Sequence, residues 1–151
     1  MSISDELKQR AFQNVWHELR VNLLFTASWF RGEVKQFLDP HEVTQQQFNI
    51  LRILRGSYPD ALTTLEIRDR MVDKMSDASR LVDRLVKKGL VEKRPCRHDR
   101  RRVDVRILDA GLRLLSDIDA RMQDLDLRTQ GSLTAEEAEQ LSHLLDRMRH
   151  G

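Results

Sequence analysis

Cysteine is almost absent from this sequence. The one copy, Cys96 in 151 residues, excludes an internal disulfide and fits a reducing compartment. Long apolar runs are missing too: nothing approaches the roughly 18 residues that cross a bilayer. The opening residues, MSISDELKQR, lack the apolar stretch of a signal peptide, so a soluble, cytoplasmic chain with no membrane partner is expected. There is no Gly-rich phosphate loop, nucleophile elbow or paired-histidine motif, which argues against an enzyme and against a resident cofactor. The histidines at 17, 41, 98, 143 and 150 make no i, i+3 or i, i+4 pair. Cys96-x-His98 alone is a poor metal signature, although helices of two chains could still assemble ligands. No internal repeat or low-complexity linker breaks the chain, and its length suits one domain.

Charge is what the sequence has, and it is unevenly spread. The net charge of +2 comes from 26 basic and 24 acidic residues. Residues 76–107 hold 11 of the basic and 5 of the acidic ones, so this segment is +6 and the rest of the chain −4. Five arginines fall within residues 94–102. A run of lysines alone would read as a solvated face. Arginines gathered at one tip point instead to a polyanion, with binding that weakens steeply as salt rises.

Helix starts are marked by capping boxes, in which a Ser/Thr side chain and an acid or Gln three residues on satisfy each other's backbone N–H. Thr44/Gln47, Thr63/Glu66, Thr134/Glu137 and Ser2/Asp5 fit, and Ser76 reads as a fifth cap with Asp77 beside the positive end of the helix dipole. The apolar spacing predicts helices over residues 5–38, 45–55, 64–72, 77–88, 110–130 and 135–149. The second helix is expected to bury Phe48, Leu51 and Leu54, and the third Leu65, Ile67 and Met71. The fourth has Ala78, Leu81, Val82 and Leu85 on one face and Ser79, Arg80, Asp83, Arg84 and Lys87 on the other. Gly89 is its expected left-handed stop. Residues 90–94 and 102–107 alternate with period two, as a two-stranded ribbon. Leu115, Ile118, Met122 and Leu125 step 3-4-3, like a coiled-coil seam. The fold expected is mainly α with a small β-hairpin; the seams of the long helices are too extensive for one small core and read as an intertwined dimer interface, with a monomeric bundle as the alternative.

LTTLEIRDRM, SDASRLVDRLVKKGLVEKRPC, HDRRRVDVRIL and LTAEEAEQLSHLLDRM stand in an order and at spacings that resemble the MarR family of winged-helix transcription regulators, over nearly the whole chain. The resemblance implies one domain over 1–151, with dimerisation helices at 5–38 and 110–149 and a winged helix-turn-helix lobe at 44–108. It implies a homodimer on a pseudo-palindromic duplex, with repression as the default. Asp99-x-Arg101 matches the family's wing: Asp99 would brace it and Arg101 would enter the minor groove. Ser76, Asp77, Ser79, Arg80 and Arg84 sit where the recognition helix meets the major groove. Arg80 or Arg84 would pair with guanine; Ser76 and Ser79, with Thr63 and Thr64, are placed for phosphates, and plain capping explains the same residues. Lys74, Arg97, Arg100 and Arg102 complete the set expected on the backbone. The sequence departs from the family pattern twice. Ile107-Leu108 replaces the usual Leu-Thr after the wing, leaving Asp109 to cap the next helix. Asp73-Lys74 occupies a turn where glycine is common.

The resemblance also implies a small aromatic or phenolic effector between the dimer helices and the DNA-binding lobe. Trp16, His17, Arg20, Trp29 and Phe30 are the candidates to line that site, although aromatics at helical spacing also fit an ordinary core. Cys96, among Arg94, Arg97 and His98, is the redox candidate, since cationic neighbours favour a thiolate. The reading from a different class is a helical protein-interaction module that binds no DNA; salt-dependent duplex binding separates the two.

Overall fold

All four Ser/Thr capping boxes form. In the computed structural model, which describes residues 1–151, the Oγ atoms of Ser2, Thr44, Thr63 and Thr134 accept from the N–H three residues on, at 3.4, 3.1, 3.2 and 3.2 Å. The helices they open are α1 (Ile3–Glu6), α3 (Gln45–Ser57), α4 (Thr64–Arg70) and α8 (Ala135–His150). Between them lie α2 (Val15–Leu38), α5 (Ala78–Lys87), α6 (Asp109–Asp119) and α7 (Met122–Gln130). The strands are β1 (Leu62–Thr63), β2 (Val91–Pro95) and β3 (Val103–Ile107).

Two helices expected to be continuous are broken. The first is interrupted after α1: Lys8 is left-handed (φ 52°), and Asn14 caps α2 by accepting from the N–H groups of Trp16 and His17 at 3.0 and 2.9 Å. An Asn side chain that competes for backbone donors favours a cap over a continuing helix. The helix expected over 110–130 breaks between α6 and α7, where Arg121 leaves helical geometry (φ −110°, ψ 2°) and pairs with Asp124 at 3.3 Å. Pro40 sits in a 3-10 turn (Asp39–His41) that ends α2, as the sequence indicates.

The ribbon gains a third strand. β3 is central, pairing antiparallel with β2 (Val91 opposite Ile107, Lys93 opposite Val105) and with β1 (Leu62 opposite Val105). One residue of β1 was invisible as strand because Thr63 is also the cap of α4. Ile50, Leu51 and Leu54 of α3, Ile67 and Met71, Val82 and Leu85 of α5, and Val105 form the main core with Leu115. Phe48 is half-buried between this core and a smaller one made by Phe37, Leu38, Val43 and Ile118. Leu65, expected inside, is 57% exposed because α4 is a short helix whose inward side is taken by Ile67.

The seam read from Leu115, Ile118, Met122 and Leu125 is used inside the chain. Leu115 and Ile118 are fully buried, and Met122 and Leu125 pack against the smaller core. The helices left without an internal partner are α8 and much of α2. No residue of α8 is buried. Leu141, Leu144 and Met148 on α8, and Trp16, Leu24 and Trp29 on α2, stand exposed.

Gly111 lets α6 dock on the sheet. A Cβ there would lie 2.5 Å from the Leu90 carbonyl oxygen and 2.7 Å from Ile107 Cγ1. That carbonyl already accepts the Leu108 N–H at 3.0 Å, so it cannot retreat freely. Alanine gains about 1 kcal/mol of helix propensity, but the overpacking costs about 1–3 kcal/mol or more. Gly111→Ala is therefore expected to lower the thermal midpoint; an unchanged or raised midpoint would refute the close approach.

Candidate nucleic-acid interface

The helix α5 is amphipathic by position. Ala78, Val82 and Leu85 are buried, and Ser79, Arg80, Asp83, Arg84 and Lys87 face outward. Its cap is Asp77, whose carboxylate accepts the Arg80 N–H at 3.2 Å. Ser76 was expected in that role; instead its Oγ is buried without a hydrogen-bond partner. At the other end Gly89 is left-handed (φ 72°). The Leu90 N–H donates to the Leu85 carbonyl (3.1 Å) and the Gly89 N–H to the Val86 carbonyl (3.0 Å), a Schellman stop. Arg80 and Arg84, four residues apart, therefore share the outward face.

The loop from β2 to β3 is closed by its own backbone. The Cys96 N–H donates to the Arg102 carbonyl (2.9 Å), and the Arg102 N–H to the Asp99 carbonyl (3.0 Å). The Asp99 carboxylate accepts the Arg101 N–H at 2.9 Å, so the acid of Asp99-x-Arg101 spends itself shaping the tip and leaves the Arg101 guanidinium outside.

Ion pairing sorts the cations. Lys93 pairs with Asp83, Arg94 with Glu92 at 3.1 Å, and Arg102 with Glu66 at 3.6 Å. Arg80, Arg84, Arg97, Arg100 and Arg101 are exposed and have no acid within 4.0 Å. Open concavities flank the start of α5: one of about 310 Å³ between Thr64, Arg68 and Ser79, one of about 400 Å³ between Thr44, Met75, Arg80 and Arg84. The surface is a helix and a looped hairpin side by side, each carrying uncompensated arginines.

Lys93 and Asp83 join the hairpin to α5, and Glu66 ties it to α4. Its carboxylate accepts the Thr63 N–H at 2.8 Å and meets Arg102. The Thr63 backbone donor holds its carboxyl below the ordinary range, helped by the Thr63 hydroxyl, Arg102 and Arg70 against a weaker effect of burial. A lowered folded value means that the stabilisation is complete above the ordinary value of 4.5 and is lost as pH falls through the folded one. Glu66→Gln is thus expected to unfold with a shallower acid limb below that pH. Superimposable limbs would remove Glu66 from the account.

A MarR transcription factor from Planctomyces limnophilus is 32% identical, with 90% of this chain and 98% of that chain aligned at a TM-score of 0.69. This chain belongs to the MarR family. A family model described as the MarR family matches residues 41–102. The multiple antibiotic resistance protein MarR of Escherichia coli (strain K12) is 29% identical over 116 residues, 76% of this chain and 79% of that protein. A mutant of the E. coli protein complexed with operator DNA shares the fold at a TM-score of 0.80, with 24% identity and 98% and 99% of the two chains covered. BpsR of Bordetella bronchiseptica, solved for the regulation of its DNA binding by 6-hydroxynicotinic acid, shares it at 0.77, with 21% identity over 92% and 95%.

Within the MarR frame, only the second of the two departures from the family pattern has a local answer. Asp109 does not cap α6; it is the first helical residue, and the cap position, Leu108, has no side-chain hydrogen bond. In the turn before α5, Asp73 accepts the Met75 N–H on its carboxylate (3.0 Å) and the Ser76 N–H on its carbonyl (3.3 Å). No residue of that turn has a positive φ, so no glycine is needed. Three expected contact residues are otherwise engaged. The Thr63 side chain is buried in its cap, Lys74 donates to the Asp69 carbonyl, and Arg102 reaches Glu66. Cys96 is half-buried at the base of the wing loop.

The aromatic set on α2 is not brought together. Trp16 and Trp29 are 13 residues apart, roughly 20 Å along a helix. His17 accepts the Gln13 N–H at 3.2 Å and meets the Phe12 ring edge-on, Arg20 is exposed, and Trp29 packs on Phe30 at 4.6 Å. One partly apolar crevice lies elsewhere, between α2, α3, the α4–α5 turn and α7. It is about 540 Å³, walled by Val34, Phe48, Met71, Val72, Met122 and Leu125 and rimmed by Arg31, Arg52 and Lys74 together with one acid, Asp73. None of the five sequence candidates lines it. Reading the sequence missed it because its wall is assembled from residues of four separate elements.

Proposed function

We propose that this chain is a sequence-specific double-stranded DNA-binding transcription regulator, a repressor acting as a homodimer on a pseudo-palindromic site. The observation that carries the reading is the cluster of uncompensated cations: Arg80 and Arg84 on the outer face of α5, and Arg97, Arg100 and Arg101 on the wing, are exposed and unpaired, whereas Lys93, Arg94 and Arg102 at the base of the hairpin are paired with acids. A helix fits the major groove, where arginine reads guanine O6 and N7, and a basic wing reaches the adjacent backbone or minor groove. Ser79 and Thr64 lie at helix starts, where phosphate is favoured. The MarR relative seen with operator DNA supports the same use. The division of labour follows: residues 44–108 bind DNA, while α2 and α8, whose apolar faces are exposed in the single chain, hold the dimer.

Selection of bound duplexes from a random pool tests this directly. A two-fold related sequence should emerge. If the two protomers together place at least six cations on phosphates, log K against log salt has a slope of about −5 or steeper. Recovery of no preferred duplex, or a flat salt response, would leave the interaction-module reading.

We also infer an effector site in the crevice between α2 and the DNA-binding lobe. Its volume is in the range of small-molecule pockets. Its apolar wall and three cations at the rim suit an aromatic acid, and Arg52 already stacks over Phe48 at 5.6 Å. Aromatic carboxylates are expected to raise the thermal midpoint of wild type and of Trp16→Ala, and to lose that effect in Arg52→Ala. A shift abolished by Trp16→Ala instead would move the site to α2.

A further inference from the structure

The helix-turn-helix is fastened to the α3 region at two points, its turn and its end, and the two fastenings differ. At the turn, the Asn49 side-chain oxygen accepts the Val72 N–H at 2.9 Å. At the end, Lys88 caps the C-terminus of α5. Its Nζ donates to the Glu42 carbonyl and, at 3.1 Å, to Gln47 Oε1. Gln47 is 3% exposed, and the same oxygen accepts the Thr44 N–H at 3.1 Å. Glu42 is the left-handed residue (φ 57°) closing the 3-10 turn that follows α2. The ammonium of Lys88 therefore sits where the end of α2, the start of α3 and the end of α5 meet. A charged donor shared between a carbonyl and a nearly buried amide is among the stronger kinds of hydrogen bond.

We propose that Lys88 is a positioning residue that fixes the recognition helix to the end of the dimer helix α2, and so sets the spacing of the half-sites that the dimer accepts. The inference rests on the homodimeric DNA-binding reading above. In a dimer held by α2 and α8, the distance between recognition helices is only as definite as the joint between α2 and α5. Of the two fastenings, only the Lys88 one reaches the corner directly after α2. One base-pair step is about 3.4 Å, so a joint that loosens by part of that distance blurs the preferred spacing. With its ammonium turned into the corner, Lys88 is spent on geometry, in contrast to Arg84 one turn earlier.

Lys88→Met keeps the aliphatic stem and removes the donor. Binding is measured on the selected duplex and on duplexes with the half-sites one base pair closer and one further apart, each at several salt concentrations. The expected result is a preference for the selected spacing reduced roughly two- to thirtyfold, with the salt slope unchanged. Amide exchange without DNA is expected to speed up in residues 42–47 and 88–90 and to stay the same in β3. A uniform loss on all three duplexes with the slope shallower by about 0.9 per contact would make Lys88 a phosphate ligand and overturn the proposal. So would an unchanged spacing preference, or unchanged exchange at the corner. Wild type that binds all three duplexes equally would instead sink the homodimer reading itself.

Discussion

Leu141→Glu with Leu144→Glu is expected to convert the protein from dimer to monomer and to lower its affinity for a two-half-site duplex by at least about a hundredfold. The reasoning begins with α8. It has 16 residues, and an isolated helix of that length is marginal in water. It buries none of them in its own chain, yet Leu141, Leu144 and Met148 recur at spacings of three and four and stand 47%, 46% and 54% exposed. An apolar stripe with nothing beneath it in its own chain is the surface that the proposed homodimer would cover. Trp16, Leu24 and Trp29 on α2 are exposed as well. Each such side chain contributes about 1.5–3 kcal/mol when buried, and an unpaired carboxylate in its place costs several kcal/mol more. Linkage of two DNA-binding heads raises affinity by roughly 10²–10⁴, and the monomer forfeits that gain. Sedimentation and duplex titration check both parts. A variant that remains dimeric, or a wild type that is monomeric at micromolar concentration, would send α8 to some other role.

Local chemistry made much of the fold readable. Capping is decided by residues three apart, so Thr44, Thr63 and Thr134 announce α3, α4 and α8 without tertiary context. Gly89 marks the end of α5 because its backbone enters a region that other residues avoid. What escaped the sequence depends on alternatives that are nearly equal locally. Ser76 and Asp77 are both good caps, and only the packing of the turn seats Asp77 at the helix start. The break before α2 contains neither glycine nor proline, since Asn14 supplies the cap and Lys8 takes the left-handed turn. Periodicity located the apolar face of residues 115–125 but could not say which surface it meets; Leu115 and Ile118 turn into the cores of their own chain. For the interface, residue type indicated where the cations gather. Which of them are free was not readable, because Lys93, Arg94 and Arg102 find acids through strand register and through the approach of α4 to the wing.

That sorting makes the two principal arginines separable by experiment. Arg84→Ala removes a group that reaches outward from the middle of α5. If it reads guanine, each half-site loses about 1–3 kcal/mol. A dimer loses the contact twice, and affinity for the selected duplex falls roughly 30-fold at the least. Random duplex, bound through phosphates, is held almost as before, so specificity relaxes at one position in each half-site. Arg101→Ala removes a group from the wing, where Asp99 braces the backbone but leaves the guanidinium free. A guanidinium in the minor groove responds to groove width and negative potential, which favour A·T-rich sequence. Its loss therefore lowers affinity most on duplexes with A·T-rich flanks. It also makes the salt slope shallower by about 0.9 for each arginine withdrawn from the phosphates. Competition titrations at several salt concentrations distinguish the roles. Arg84→Ala losing specific and random duplex equally would demote it to a backbone contact. Arg101→Ala with unchanged affinity and slope would mean that the wing does not touch DNA, leaving the Asp99 brace as a purely structural device.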